Sequence, residues 1–466
     1  MKVTISNEIT IKEPVKEIMD WCKRELVLPN PDYTKKERMG LWTGSTPRTL
    51  QLYKVNGNSV ILPIGAFQYV FKMLKAYDCE YIRDLADNGV VDYNASVNLY
   101  DYQEEAVNAM YLCGYGILQS PAGSGKTQMG IALAVKLKKK VLWLTHTHDL
   151  LKQSHDRASL YIDKSLLGTI TAGKVNIGAG ITFATVQTLS KQDLSQYKYM
   201  WDVIIVDECH RVAGTPTTMT QFSKVINSLA CRHKYGLSAT VHRADGMIKC
   251  TYMLLGDVKH IVPDEKVKDK VMAVKVKRVD TDKSIPMDAL DTDGTINYTR
   301  LISSLAMDRD RNDIIASHLV DEPEHYHLIL SDRLAQLREI YDMLPEDLKE
   351  KACIIDGTMT SKKGKAEREQ AIEDMRAGKK HFLFASYKLA KEGLDIPRLD
   401  RLHMATPQKD YAIIVQSVGR IARTFVGKKQ PVCFDYVDSF KMAENMYKAR
   451  CRHYRKCGCV LDDGTV

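Results

Sequence analysis

The stretch "SPAGSGKTQMG", residues 120–130, places small turn-forming residues directly ahead of a lysine and a hydroxyl. An apolar run, "YGILQS", precedes it and a helix-forming run, "KTQMGIALAVKL", follows. Strand, glycine turn and helix start together make a phosphate loop, because amides of the turn and of the first helical turn point at phosphate oxygens. On this reading Gly123, Ser124 and Gly125 shape the loop, Lys126 reaches the β- and γ-phosphates, and Thr127 holds Mg2+. The usual pattern has a glycine where Ser120 stands.

A second signal lies in "WDVIIVDECH". Its apolar core delivers Asp207 and Glu208 to the carboxyl end of a strand, where α/β sheets bind ligands. Asp207 suits the Mg2+ shell, and Glu208 suits polarising an attacking water. In "VGRIAR", Arg420 and Arg423 stand three apart and are expected on one helical face. Arginines so placed can neutralise charge developing on a γ-phosphoryl group, which requires ATP to meet two parts of the chain.

These groups need elements to hold them. The 466 residues are too many for one ordinary core, so two or three domains are expected. Residues 1–98 read as a small α+β module. "VTISNEITI" alternates like a strand, "PVKEIMDWCKREL" has helical spacing with Ile18, Trp21, Cys22 and Leu26 on one side, and Asn56-Gly57 marks a hairpin. From residue 99 apolar runs alternate with helical segments, as in a parallel sheet covered on both faces. A charged stretch after Val262 separates residues 99–262 from a second block of the same rhythm, residues 263–466. The expected fold is therefore α/β, with two tandem parallel-sheet domains behind a small N-terminal α+β module.

The order of motifs resembles the superfamily 2 helicases of the DExH type, over residues 99 to about 440. "DECH" is similar to motif II, "LSAT" to motif III, "ASYKLAKEGLDIP" to motif V and "QSVGRIAR" to motif VI. The resemblance implies RecA-like folds for both blocks and adenine recognition by Gln103 in "DYQEEAV". It implies nucleotide contacts from Gly393 and Asp395, a catalytic role for Gln416 beside the arginines, and coupling through His210, Ser238 and Thr240. It further implies that Thr145, Gly173, Thr185, Ser331 and Ser386 hold a nucleic-acid backbone. Hydroxyls and amides suit phosphate rather than base edges, so little sequence specificity is expected. The motif II ending and "THTHDLL" fit the RNA-directed DEAD-box branch poorly. Arg243, Asp245 and Gly246 after motif III are similar to DNA repair and recombination helicases, including bacteriophage branch-migration enzymes.

The implied activity is an ATP- and Mg2+-dependent DNA helicase or translocase acting on forked or junction DNA. A duplex-tracking translocase without strand separation, or an RNA helicase, is the alternative. Residues 1–98 would then bind DNA, with Arg38, Trp42, Arg48 and Lys54 supplying charge and an aromatic. The net charge of +9 permits a polyanionic partner without demanding one. With no signal peptide or membrane-length apolar run, and eleven scattered cysteines, an intracellular, cytoplasmic monomer is expected (host cytoplasm for a viral protein). Cys451, His453, Cys457 and Cys459 match no familiar zinc spacing, so a basic helix packed on the second block is expected there, its Lys448, Arg450, Arg452, Arg455 and Lys456 available to phosphate.

Overall fold

In the computed structural model, residues 1–462 are described except 122, 172, 214–215, 240, 242–246, 269–270, 360 and 392–393. Among the described residues the chain forms two compact units, residues 1–121 with 125–263, and residues 123–124 with 264–462. No described helix is long and apolar enough to cross a membrane.

The first unit opens with a five-stranded sheet in the order Lys54–Asn56, Ser59–Pro63, Glu8–Lys12, Lys2–Ile5, Glu80–Arg83. "VTISNEITI" is two strands, not one: Lys2–Ile5 and Glu8–Lys12 pair antiparallel, with Ile5 opposite Ile9. The polar pair Ser6-Asn7 makes the turn that the alternation disguised, since it preserves the period of two. Helix Lys16–Glu25 buries Ile18 and Cys22 on the sheet, with Leu26 beyond its end, while Trp21 is only partly covered. Gly57 has φ +53°, as the tight turn after Asn56 needs.

The eight-stranded sheet of the first RecA-like domain runs Lys174–Asn176, Leu167–Thr171, Ile181–Thr185, Val141–Thr145, Val203–Asp207, His233–Ser238, Tyr115–Gln119, Val258–Ile261. Only its first pair is antiparallel. Strands 141–145, 181–185 and 203–207 are buried at every residue, which is why they read as unbroken apolar runs. The N-terminal module is welded to this domain. Met253 belongs to the module's own core, Lys249 Nζ meets Glu25 at 2.6 Å, and the Ala86 amide donates to Ala230 O at 2.8 Å.

The second RecA-like domain has a seven-stranded, wholly parallel sheet: Ala352–Ile355, Phe382–Ser386, His327–Ser331, Arg401–Met404, Val432–Val437, Lys275–Asp280, Val460–Leu461. The basic tail packs back as helix Lys441–Lys456. One basic residue is structural there: Arg450 is buried and donates twice to Asp435, at 2.7 Å each, with the Tyr454 hydroxyl also on Asp435 at 2.8 Å. It is thus removed from the residues available to phosphate, whereas Lys448, Arg452, Arg455 and Lys456 are exposed.

Candidate functional site

The loop after strand Tyr115–Gln119 turns through Gly123 (φ +81°) and Gly125 (φ +82°) before helix Lys126–Leu137. Gly125 is doubly constrained, since a Cβ there would be left-handed and would also collide with Nε2 of Gln103. Gln103 is buried on helix Asp101–Cys113, and its Oε1 accepts the Tyr100 amide at 3.0 Å, so the amide nitrogen is what borders the loop. Lys126 Nζ donates to Pro121 O at 3.2 Å and Ser120 O at 3.4 Å, which folds its charge over the loop. Ser124 is buried, and Thr127 follows Lys126 in the first helical turn.

Asp207 ends the buried strand Val203–Asp207. It accepts from Ser154 Oγ at 3.2 Å and from the Glu208 amide at 3.0 Å. Glu208 is left-handed at φ +49°, a conformation uncommon for a residue with a side chain and frequent at functional sites. Nδ1 of His210 stands 3.2 Å from Glu208 Oε2 and 3.0 Å from the hydroxyl of Ser238, which ends the neighbouring strand His233–Ser238. Burial and the adjacent Glu208 charge push Asp207 up, against the pull of Lys126. At Glu208 burial acts the same way, but His210, Lys126 and Arg211 outweigh it and hold the carboxyl low. The surroundings of the pair therefore favour negative charge on Glu208 over Asp207.

His210 Nε2 and Arg211 Nε are buried without a hydrogen-bond partner. Buried polar atoms are normally paired, so such a cluster is what a bound polar group would complete. The oxygen donors of Thr127 and Asp207 fit Mg2+, which takes few protein ligands and keeps phosphate oxygens and waters. No cluster of three or more His, Cys, Asp or Glu side chains among the described residues is placed to hold a metal ion. Sequence reasoning missed Ser154 and Arg211. Ser154 closes the run "VLWLTHTHDLLKQS", which resembles motif Ia, but nothing in that run points to Asp207; only its place as a small polar residue on the inward side of helix His148–Ala158 does. Cys209 is packing: it is buried against Gly236, where a Cβ would lie 2.7 Å from its sulfur.

In the second RecA-like domain, Arg420 donates to Ala390 O and Leu394 O at 3.0 Å each, and Arg423 forms an ion pair with Asp395. The helix is Tyr411–Ile421, capped by Ala422, so Arg423 lies beyond it and the two arginines do not share a helical face. Gln416 is buried on that helix with Oε1 unpaired. Gly393, Thr240, Arg243, Asp245 and Gly246 lie outside the described residues.

The expected backbone-binding hydroxyls have local partners. Thr145 is fully buried and donates toward Thr147 O at 3.1 Å. Thr185 caps helix Val186–Leu189, accepting from the Thr188 amide at 3.4 Å. Ser331 is fully buried, 2.6 Å from Gln336 Oε1, and Ser386 accepts the Leu389 amide at 3.3 Å. Thr145 and Ser331 thus present no hydroxyl at the surface. Gly173 (φ +89°) has open space where a side chain would stand.

A phosphate loop and an acidic strand end on one parallel sheet, followed by a second such sheet, define a two-domain RecA-like nucleotide-binding protein. Residues 96–243 match the family described as type III restriction enzyme, res subunit, and residues 310–425 match the helicase conserved C-terminal domain. The chain belongs to the superfamily 2 helicases. It is 28% identical over 398 residues to a putative ATP-dependent RNA helicase of Acanthamoeba polyphaga mimivirus, covering 83% of this chain and 72% of the relative. It is 25% identical over 361 residues to a DNA 3'-5' translocase of Sulfurisphaera tokodaii, covering 70% and 79%. In fold it is similar to a fragment of a putative HsdR subunit of a type I restriction enzyme from Vibrio vulnificus. That match has a TM-score of 0.57 at 16% identity, over 96% of this chain and 82% of the other.

Proposed function

We propose that this helicase hydrolyses ATP to move on DNA, and that it unwinds or branch-migrates forks and junctions. The observation that carries the reading is the continuous contact from Glu208 through His210 to Ser238 beside the Lys126 loop. Lys126 and the loop amides bind the phosphates, while Gln103, at the edge of the loop, recognises the base. Thr127 and Asp207 hold Mg2+, which supplies charge neutralisation at the phosphates. Ser154 keeps the Asp207 carboxylate oriented. Glu208, kept ionised, accepts a proton from the attacking water. Arg420 and Arg423, with Gln416, bring positive charge and a hydrogen bond to the same reaction, and Asp395 holds Arg423 until then. His210 and Ser238 transmit the state of Glu208 to the neighbouring strand end.

Backbone contacts come from the loops around Gly173, Thr185 and Ser386, through amides more than hydroxyls, so sequence specificity is low and binding falls steeply with salt. The match to a restriction res subunit favours a second reading, a duplex-tracking translocase that does not separate strands. One experiment separates them: ATPase stimulation and strand displacement on fork, four-way junction, blunt duplex, single strand and RNA. Displacement of forks and junctions is expected. Duplex stimulation without displacement supports the second reading, and preference for RNA overturns the DNA assignment.

A further inference from the structure

Strands Val27–Pro29 and Thr49–Gln51 form a separate two-stranded ribbon. The chain between them, residues 30–48, leaves the module as an arm. Its helix Pro31–Arg38 buries no residue. At its tip Met39, Leu41 and Trp42 are 59%, 54% and 85% exposed. Three large apolar side chains within four residues are an unusual surface for a lone loop.

The tip is nevertheless built. The Leu41 amide donates to Lys36 O at 2.9 Å, and the Thr46 amide to Thr43 O at 2.8 Å. Lys36 Nζ ties to Thr46 Oγ1 at 2.7 Å, and Asn30 Nδ2 to Pro47 O at 2.8 Å. Gly44 (φ +42°) lies against the indole, so a Cβ there would collide with ring atoms Cζ3, Cη2 and Cε3 of Trp42. The ring is thus backed by Gly44 and largely open to solvent elsewhere. Around it the arm carries Lys35, Lys36, Arg38 and Arg48 against only Asp32 and Glu37. Arg38 and Arg48 are exposed and form no ion pair among the described residues. The base is anchored: Leu28, Leu50 and Leu52 pack on Met247 and Cys250, at the start of helix Ile248–Leu255 of the first RecA-like domain.

A flat aromatic face held open, apolar neighbours and unpaired guanidinium groups complement one chemistry, a nucleobase with its flanking phosphates. We propose that Trp42, backed by Gly44 and flanked by Met39 and Leu41, stacks on an unpaired base of a nucleic-acid strand while Arg38 and Arg48 hold the adjoining phosphates. This rests on the nucleic-acid reading above and assigns the arm as its base-contacting site. Lys54 is not part of it, since it lies on the five-stranded sheet and pairs with Glu8 at 3.3 Å.

Trp42 can be read directly. Of the four tryptophans, Trp143 and Trp201 are fully buried and Trp21 is partly covered by the module core. Intrinsic fluorescence of the full chain is titrated with a thymidine homopolymer and with an abasic oligomer of equal length. The base-bearing strand is expected to quench, and the abasic strand to bind without quenching. Trp42→Phe keeps most affinity but loses the quench. Trp42→Ala weakens binding about 5- to 150-fold, the range of one base–aromatic stack. Gly44→Ala reduces the quench by displacing the ring. Unchanged fluorescence at saturating strand, or equal quenching by both probes, overturns the proposal. So does unaltered affinity in Trp42→Ala, which would leave the tip as a protein-contact surface. The two readings fail separately: if no nucleic acid binds or stimulates ATP turnover, the helicase reading fails first. If both persist while Trp42 is silent, only the arm's role is lost.

Discussion

Two buried polar networks, one in each RecA-like domain, are completed to different degrees. At the end of strand Val203–Asp207 the chain gathers Lys126, Asp207, Glu208, His210 and Arg211, and leaves His210 Nε2 and Arg211 Nε buried and unpaired. In the second domain His327, His403 and Tyr436 form a chain with no unpaired atom among them. His327 Nε2 donates to Glu322 O at 2.8 Å, and its Nδ1 accepts from His403 Nε2 at 3.0 Å. His403 Nδ1 then accepts from the Tyr436 hydroxyl at 2.9 Å. Every proton points one way, so each imidazole is a satisfied neutral tautomer. The difference teaches where binding chemistry lies. A closed network stabilises and defines its own domain; an open one is finished by something from outside.

The largest expected effect tests the open network. Lys126→Ala should abolish phosphate release from ATP. Glu208→Gln should lower it by about 100- to 10,000-fold while ATP still binds, because only the proton acceptor is lost. Normal turnover in either variant would refute the site. Next, Arg420→Ala and Arg423→Ala should each reduce kcat by roughly 1,000-fold with a smaller effect on KM. A thermal melt distinguishes this from misfolding, which is a fair rival for Arg420 because it also braces two carbonyls.

The closed network makes its own prediction. Burial, with the nearby Arg401 charge, drives His327 down to about 3, and burial drives His403 well below its ordinary value. In the unfolded chain both take up protons below about pH 6.5, while the folded protein does not. Their contribution is therefore complete above about pH 6.5 and is lost as pH falls toward the folded values, at up to about 1.4 kcal/mol per pH unit for each histidine. Urea unfolding between about pH 7 and pH 5 should show it. His403→Phe keeps a ring on Phe434, with which His403 now stacks at 4.7 Å, and should remove about half of that slope. The same slope in the variant would place the acid sensitivity elsewhere. The smallest effect is Ser154→Ala, which removes one hydrogen bond to Asp207. It should weaken Mg2+ dependence about tenfold and stability by about 1 kcal/mol, read from metal titration of turnover and from a melt.

Much of this was legible in the chain. The runs at 141–145, 181–185 and 203–207 announced fully buried parallel strands because both their faces are covered. The glycines of the loop were legible because left-handed backbone and close approach both exclude a side chain. The Ser6-Asn7 turn was not, since a hairpin of two short strands keeps the alternation of one. The end of the helix before Arg423 was missed for a related reason: a spacing of three fits a helix but does not require it.

What the sequence determined by itself is the kind of chemistry: a lysine and hydroxyl after a glycine turn, and a carboxylate pair after an apolar run. Backbone amides and strand ends impose those residue types wherever phosphate is bound. What only the tertiary structure decided is which side chains are free to use. Thr145 and Ser331 carry hydroxyls at the expected positions, yet both are buried and bonded inward. Arg450 sits in a basic helix, yet Asp435 draws it into the core. Trp42, as apolar as Trp143 and Trp201, is the one left facing water. Residue type fixes what a group can do, but burial and partners are set by elements far away in the chain, and no local pattern records them.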